Sequence, residues 1–344
     1  MAEQSVTAPN APAIGGIGNL TKRVFVKLGI LPFLLFIAMV VFSLLSDNFL
    51  TLQNLMNVLR QSVYLMIVAL GQMMALLTGG FDLSVGTALA LSSVVGAMVM
   101  AAVFSIAPDM VWLAIALGCL SGILAGVTIG IVNGAGVAFF NVSPFMVSLG
   151  MASVGFGVAL YLTGGVPVYG MPRAFSDTFG YGSLFGIPAP VFVAALLVFA
   201  LYVFLYRTPN GRYFYAVGGN LKAASLSGIN TKATLFFTYV LSALFAAIAG
   251  MLLTARIDTG EANIGASMPL ESIAACVIAG VSLRGGVGRL ESVVLGALFI
   301  GLIQNGMNLA QIESYLQTVV LGILLILAVI ADQIRLRYVA SLKN

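Results

Sequence analysis

The chain has 344 residues, of which 60% are hydrophobic and only 8% are charged, and its net charge is +4. A soluble protein of this length needs many more charged residues on its surface, so the composition predicts an all-α polytopic membrane protein. The sequence contains no histidine, which removes the commonest metal ligand and general base. It therefore argues against a metal site and against an intramembrane enzyme.

The first 27 residues are polar and rich in Ala, Pro and Gly, which predicts a disordered tail without a cleavable signal peptide. Apolar runs of the length that crosses a bilayer, about 20 residues, then follow. The eighth of these runs is short enough to be a half-span. The ten runs lie at 28–46, 61–79, 86–105, 111–132, 144–163, 189–206, 233–255, 270–284, 290–309 and 313–332. Residues 28–335 are therefore predicted to form one transmembrane domain, followed by a tail at 336–344.

Basic residues predict the orientation of this domain. With the N-terminus inside the cell, all Lys and Arg residues except Arg60, Arg173 and Arg256 fall on the cytoplasmic side. Cytoplasmic loops of membrane proteins carry such an excess of Lys and Arg. Both termini and the polar loop at 207–232 are therefore predicted to be cytoplasmic.

A shift of 200 residues reveals a weak internal repeat. Residues 70–97 match residues 270–297 at nine positions. Both copies join two apolar runs through a glycine-rich bend, at 78–86 and at 279–288. Transporters are often built from such repeats, with the working site near the repeat interface. The sequence therefore predicts an internal repeat with functional residues near these bends.

Five residues in the two bends are candidates for a gate. They are Asp82, Ser84 and Gly86 in the first bend, and Arg284 and Gly286 in the second. Asp82 is open to three interpretations: a structural cap for the following helix, a gate residue or a proton-coupling carboxylate. Arg284 is expected to pair with an acidic group across the repeat.

The fourth run carries a glycine at every fourth position from Gly118 to Gly134. Such a stripe lets another backbone approach closely. Two interpretations stay open: tight packing inside one subunit, and a helix that slides or forms part of a seam between two subunits.

Uncharged polar and aromatic residues in the runs are candidates for a translocation pathway. They are Gln72, Asn141, Phe145, Gln304, Asn305 and Asn308. Amide side chains suit a neutral polar solute, and an aromatic ring stacks on a sugar. Hydrogen bonding between helices is the alternative role for each amide.

The loop at 207–232 has the signals of a short helix. Thr208-Pro-Asn-Gly is expected to end the sixth run with a turn, and Gly218 and Gly219 to give a flexible approach. Asn220 is a helix cap, residues 221–227 are small or good helix formers, and Gly228 suits the left-handed position that ends a helix. The loop is therefore predicted to dock into a groove on a soluble partner, with a merely solvated connector as the alternative.

Three stretches together resemble the ribose-type sugar permeases of bacterial ABC importers. They are Leu77–Gly86, Asn141–Phe145 and Gly211–Ile229, and the resemblance continues through Ala279–Gly288 to cover residues 30–335. It implies a homodimer of ten-span subunits in the inner membrane, in contact with lipid and with no nucleic acid. It also implies a cytoplasmic ABC ATPase and a periplasmic sugar-binding protein as partners. Phe81 departs from the family, where many members have a branched aliphatic residue.

The resemblance implies that the loop helix docks on the ATPase. The residues assigned to this docking are Gly218, Gly219, Asn220, Lys222, Ala223, Ala224, Gly228 and Ile229. The chain lacks a Gly-x-x-x-x-Gly-Lys-Ser/Thr phosphate loop, so ATP and magnesium are used by the partner and this chain needs no cofactor. The predicted function is a permease for a ribose-like monosaccharide. The alternatives are an ABC permease for a branched-chain amino acid or nucleoside, and a proton-coupled secondary transporter.

Overall fold

The computed structural model describes the backbone of residues 31–341 and the side chains of residues 31–330. The predicted N-terminal tail and the first residues of the first run lie outside the described residues, as do residues 342–344. In chain order the helices are α1 (Leu31–Leu45), α2 (Leu52–Leu77), α3 (Val85–Ile106), α4 (Val111–Ala138), α5 (Pro144–Thr163), α6 (Arg173–Phe175), α7 (Ala189–Arg207), α8 (Pro209–Gly219), α9 (Leu221–Leu226), α10 (Thr231–Ile257), α11 (Met268–Ile278), α12 (Leu290–Leu309) and α13 (Ser314–Ser341).

Seven helices are long and apolar enough to cross a membrane, namely α2, α3, α4, α5, α7, α10 and α12. Three shorter apolar helices are α1, α11 and residues 314–330 of α13. Each of the ten predicted runs coincides with one of these helices, so a mostly helical polytopic membrane protein is confirmed. Helix α11 has 11 residues and rises about 16 Å, roughly half of the hydrocarbon core. This agrees with the expected shortness of the eighth run.

Three local features differ from the prediction. Helix α2 begins at Leu52, before the apolar run at 61, because the Thr51 side chain accepts a hydrogen bond from the Asn54 amide at 3.3 Å and caps the helix. Arg60 therefore lies inside a helix. Helix α13 continues through Ser341, into the predicted C-terminal tail. The chain before α7 forms a small antiparallel hairpin of β1 (Ser183–Leu184) and β2 (Ile187–Pro188), which follows α6 and a π-helical turn.

Helix α4 packs against α3 and α10 through the glycine stripe. A Cβ atom at Gly122 would lie 2.6 Å from the Ser92 carbonyl oxygen of α3, and one at Gly126 would lie 2.6 Å from the Ala247 Cβ of α10. The other stripe glycines, Gly118, Gly130 and Gly134, also meet backbone carbonyl oxygens of these two helices. The stripe is therefore a packing surface inside the subunit, and the subunit-seam interpretation is wrong for it.

This packing gives a stability prediction. The variant Gly122→Val is expected to lower the free energy of unfolding by about 3 kcal/mol, because backbone on the facing helix cannot move aside for the new side chain. Thermal unfolding in detergent measures the change. Gly157→Val on α5 is the matched control, since a Cβ atom there meets nothing within 4 Å. Equal stability of the two variants would contradict the packing role.

The two glycine bends have the same local geometry. Gly79 and Gly280 both have a positive φ, 78° and 83°, which L side chains rarely adopt. The next residue in each bend, Gly80 or Val281, donates its backbone N–H to a carbonyl of the preceding helix at 3.0 Å. In this geometry Gly79 corresponds to Gly280, whereas the 200-residue shift aligned Gly80 with Gly280. The two helix–bend–helix units are therefore aligned locally by the glycine that each needs at its left-handed position.

Candidate coupling site

Helix α9 is the short helix that the loop sequence predicts. The Asn220 side chain accepts a hydrogen bond from the Ala223 amide at 2.9 Å and caps its start. At its end, Gly228 has φ of 82°, and Ile229 donates its N–H to the Ala224 carbonyl at 3.1 Å. Side-chain cap and left-handed glycine thus delimit a helix of six residues.

The surface of α9 is unusually apolar for an exposed connector. Leu221 is 50% exposed and Leu226 is 82% exposed, and Lys222 beside them is exposed as well. Ala224, by contrast, is buried. Exposed leucines on a rigid, capped helix are typical of a segment that inserts into a groove of a partner.

The chain before α9 differs from the predicted turn and flexible approach. Pro209–Gly219 form helix α8, and Thr208 caps it by accepting a hydrogen bond from the Gly211 amide at 3.1 Å. Gly218 and Gly219 are the last residues of this helix. Aromatic packing stabilises α8, since the Phe214 ring lies 5.7 Å from the Phe204 ring of α7. The expectation of a flexible approach is therefore wrong, because tertiary packing overrides the low helix propensity of this segment.

Helix α8 ends in backbone contact with both bends. The Gly286 amide donates a hydrogen bond to the Leu77 carbonyl at 2.9 Å, and a Cβ atom at Gly218 would overlap that same carbonyl. A Cβ atom at Gly285 would lie 2.8 Å from the Gly79 nitrogen and 2.9 Å from the Gly218 oxygen. We call this cluster the glycine junction; it consists of Leu77, Gly79, Gly218, Gly285 and Gly286. It leaves no space for side chains, so α8 and the two bends are held together backbone to backbone.

Tyr215 adds a side-chain link between α8 and the second bend. Its hydroxyl donates a hydrogen bond to the Gly288 carbonyl at 3.2 Å. Burial raises the pKa of the Tyr215 hydroxyl above its ordinary value, so it stays protonated and remains a donor at neutral pH.

The first bend contains a buried polar cluster around Asp82. One Asp82 carboxyl oxygen accepts hydrogen bonds from the Ser84 amide at 3.0 Å and from the Ser84 hydroxyl at 2.6 Å. Asn133 of α4 donates its amide to the Ser84 hydroxyl at 2.6 Å. Asp82, Ser84 and Asn133 are all fully buried. Asp82 therefore holds the start of α3 in place, while the Ser84 side chain forms no cap of its own.

Two further residues near the bends have roles that the sequence did not predict. Asn133 is not among the site residues predicted from the sequence. The sequence feature that could have indicated it is a polar amide side chain within an apolar helix. Gln72, a pathway candidate, is fully buried. The Gln72 side-chain amide forms two hydrogen bonds with the backbone of Asp82. Its NH2 group donates to the Asp82 carbonyl at 3.0 Å, and its oxygen accepts from the Asp82 backbone N–H at 3.3 Å. Gln72 is thus placed in the core, where it supports the bend.

The predicted ion pair of Arg284 is not found within the described part of the chain. Its side chain is exposed, and it pairs with no acidic side chain among residues 31–330. Gly86, at the start of α3, lies against the chain that precedes α11, where a Cβ atom would be 2.6 Å from the Gly265 oxygen. Of the bend candidates, Gly286 alone is part of the glycine junction.

The remaining pathway candidates do not meet in one place. Asn305 of α12 and Asn54 of α2 exchange two amide hydrogen bonds of 3.0 Å and are both buried. Asn308 accepts a hydrogen bond from Gln317 at 2.8 Å. Gln304 is half-buried, whereas Asn141 and Phe145 are exposed near the start of α5. For Asn305 the structure favours hydrogen bonding between helices.

The Asn54–Asn305 pair gives a second stability prediction. The variant Asn305→Leu is expected to lower the free energy of unfolding by about 1 kcal/mol, because it leaves the buried side-chain oxygen of Asn54 without a donor. The Asn54 NH2 group keeps its hydrogen bond to the Phe49 carbonyl at 2.8 Å. Thermal unfolding in detergent measures the change. The double variant Asn54→Leu/Asn305→Leu is expected to lose less stability than the sum of the two single losses, although it also removes the hydrogen bond to the Phe49 carbonyl. Additive losses in the double variant would contradict a direct interaction.

Comparison with known proteins places the chain among permeases. A family model described as "Branched-chain amino acid transport system / permease component" matches residues 54–329. The ribose import permease protein RbsC of Bacillus subtilis is 40% identical over 310 residues, which cover 89% of this chain and 92% of that protein. No solved structure matches the chain.

Two further relatives have similar coverage. The D-allose transport system permease protein AlsC of Escherichia coli is 37% identical over 303 residues, 88% of this chain and 90% of the relative. The galactose/methyl galactoside import permease protein MglC of Escherichia coli is 35% identical over 312 residues, 88% of this chain and 92% of the relative. The similarity thus extends over nearly the whole of each protein.

Proposed function

Because the chain belongs to the branched-chain amino acid transport system / permease component family, we propose that it is the permease subunit of a bacterial ABC importer for a monosaccharide. The observation that carries this proposal is the full-length similarity to import permeases named for ribose, D-allose and galactose. The same similarity favours a sugar over a branched-chain amino acid. The chain is a multi-pass inner-membrane protein and a transport component, not an enzyme.

The proposed assembly has the chain as one of two copies, with an ABC ATPase on the cytoplasmic side and a periplasmic sugar-binding protein on the other. The proposed subunit has ten membrane segments and both termini in the cytoplasm. The excess of basic residues in the loop at 207–232 supports this orientation. The capped helix α9, with Leu221 and Leu226 exposed, then faces the ATPase.

The proposed mechanism follows the contacts of the glycine junction. Movement of the ATPase displaces α9, and α9 is joined to α8 at Asn220. Near the end of α8, Gly218 lies against the Leu77 carbonyl and the second bend. A shift of α8 therefore reaches both bends together, and with them α3 and α12. Reopening of these helices toward the other face of the membrane would release the sugar.

Reconstitution tests this function. The permease is placed in proteoliposomes with its ABC ATPase and sugar-binding protein, and uptake of labelled D-ribose, D-allose and D-galactose is measured with and without ATP. We expect ATP-dependent uptake of at least one sugar, unaffected by a proton uncoupler. Uptake of none of the sugars would contradict the proposal, and uptake of L-leucine instead would favour the amino-acid alternative.

Gly228 offers a specific test of docking by α9. A Cβ atom at Gly228 would meet nothing within 4 Å, so only its φ of 82° restricts substitution. A β-branched residue in this conformation costs about 1–2 kcal/mol, which corresponds to a roughly tenfold change in an equilibrium constant. Gly228→Val is therefore expected to weaken association with the ATPase about tenfold and to reduce uptake, without preventing membrane insertion.

Gly228→Asn is the matched control, because asparagine tolerates the left-handed conformation. Association is measured by co-purification at a series of ATPase concentrations. Wild-type association of the valine variant would exclude a docking role for this end of α9.

A further inference from the structure

A non-helical segment runs beside helix α3. Between the end of α10 and the start of α11, the Glu261 amide donates a hydrogen bond to the Ser93 hydroxyl at 3.2 Å. Farther along, the Gly265 oxygen faces Gly86, at the first turn of α3. From Ser93 to Gly86 the segment therefore follows α3 back toward its start. Helix α3 is long enough to span a membrane. The segment therefore lies at the same membrane depth as the part of α3 that it contacts.

Lipid cannot satisfy the backbone of such a segment. Non-helical backbone at membrane depth persists only where it is buried in protein or lines a water-filled cavity. One part is paired, since Gly260 and Val168 exchange backbone hydrogen bonds of 2.8 and 2.9 Å. The part that follows, from Ala262 to Ala266, lines a cavity of about 330 Å³ that lies between α3 and α5. This cavity is therefore expected to contain water.

The lining of this cavity is mostly apolar, with three polar side chains and no charge. Thr87 of α3 and Ser153 of α5 provide hydroxyl groups, Asn263 provides an amide, and Phe156 provides an aromatic ring. The other lining residues are Leu83, Gly86, Ala90, Ala152, Ala262, Ile264, Ala266 and Pro269. Hydroxyl and amide groups bind the hydroxyls of a sugar, and an aromatic ring covers its apolar face. The volume lies at the lower end of the range for small-molecule sites, about 300–1,000 Å³.

The absence of charge also discriminates between solutes. An amino acid at neutral pH carries an ammonium and a carboxylate group, and the lining has no charged side chain to pair with either group. Burying unpaired charges in a partly desolvated site is costly. A second cavity, of about 620 Å³, is lined by Arg289, Glu291 and three tyrosines. The neutral lining therefore distinguishes the cavity beside α3 as the one suited to an uncharged solute.

We propose that the cavity lined by Thr87, Ser153, Phe156 and Asn263 is a subsite of the translocation pathway that binds a neutral monosaccharide. This inference rests on the proposed function and adds the location of the solute within the permease. None of the pathway candidates from the sequence lines this cavity. Leu83 and Gly86 belong to the first bend, so the subsite borders the element that the glycine junction connects to α8.

Single cysteines test the subsite in the assembled transporter. Ser153→Cys and Asn263→Cys are small changes on opposite walls, and Val154→Cys is the matched control on α5. Val154 is 55% exposed but does not line the cavity. Each variant is reconstituted with its ATPase and binding protein and treated with an anionic, water-soluble methanethiosulfonate. Mass spectrometry confirms the modification, and treated wild-type protein controls for Cys119 and Cys276.

Before treatment, Val154→Cys is expected to take up the sugar that the wild type transports best at the wild-type rate. Ser153→Cys and Asn263→Cys each alter one polar group of the subsite and are expected to take up that sugar more slowly but measurably. After modification, uptake by Ser153→Cys and Asn263→Cys is expected to fall at least tenfold, whereas the Val154→Cys and wild-type transporters retain theirs. Full uptake by both cavity variants after complete modification would overturn the subsite. Absence of sugar uptake by the untreated wild type would instead overturn the proposed function, so the two failures are distinguishable.

Discussion

Replacing Gly218 with alanine is expected to lower ATP-driven sugar uptake at least tenfold while ATPase association is retained. A Cβ atom at this position would overlap the Leu77 carbonyl and would lie 2.6 Å from the Gly286 nitrogen. Both neighbours are backbone, so neither can rotate away, and the end of α8 must move off the bends. Such overpacking costs about 1–3 kcal/mol. Helix α9, which carries the proposed docking surface, keeps its own caps.

Gly219→Ala is the control for this variant. Gly219 is the next residue of the same helix, and a Cβ atom there would meet nothing within 4 Å. Uptake and ATP hydrolysis are measured on the same proteoliposomes. The expected pattern is continued hydrolysis with poor uptake for Gly218→Ala, and wild-type values for Gly219→Ala. Equal uptake by the two variants would show that the glycine junction does not transmit movement.

Local signals predicted the bounds of helix α9 well. The cap at Asn220 and the left-handed position at Gly228 depend only on residues within one or two turns. The apolar runs likewise match the helices, because the length of a run reflects bilayer thickness. Helix α8 was missed since its stability comes from the contact between Phe214 and Phe204, which propensity does not reveal.

The contacts that give the coupling site its shape are distant in sequence. Gly218 and Gly286 both meet the carbonyl of Leu77, and a carbonyl leaves no trace in the amino-acid sequence. The glycines could be recognised as bend residues, but their common partner could not. The same holds for Asn133, whose partner Ser84 lies on another helix. The subsite was missed because one wall of it is non-helical and has no periodic pattern.

These features lie along one continuous path. Helix α9 joins α8, α8 ends at the glycine junction, and the junction holds the first bend, which borders the proposed sugar subsite. The path needs a rigid first bend, because a flexible one would absorb the movement before it reached α3. Asp82 supplies that rigidity by accepting two hydrogen bonds from Ser84. Its structural role can be separated from proton coupling by two substitutions.

The variant Asp82→Ala is expected to lower the free energy of unfolding by about 3 kcal/mol, because it leaves the buried amide and hydroxyl of Ser84 without their acceptor. Asp82→Asn keeps an acceptor oxygen and removes the titratable group. It is expected to retain most of the stability and most of the ATP-driven uptake. Thermal unfolding in detergent and uptake in proteoliposomes measure both effects. A proton-coupled transporter would lose uptake in Asp82→Asn while its stability stayed unchanged, and that loss of uptake would contradict a purely structural role.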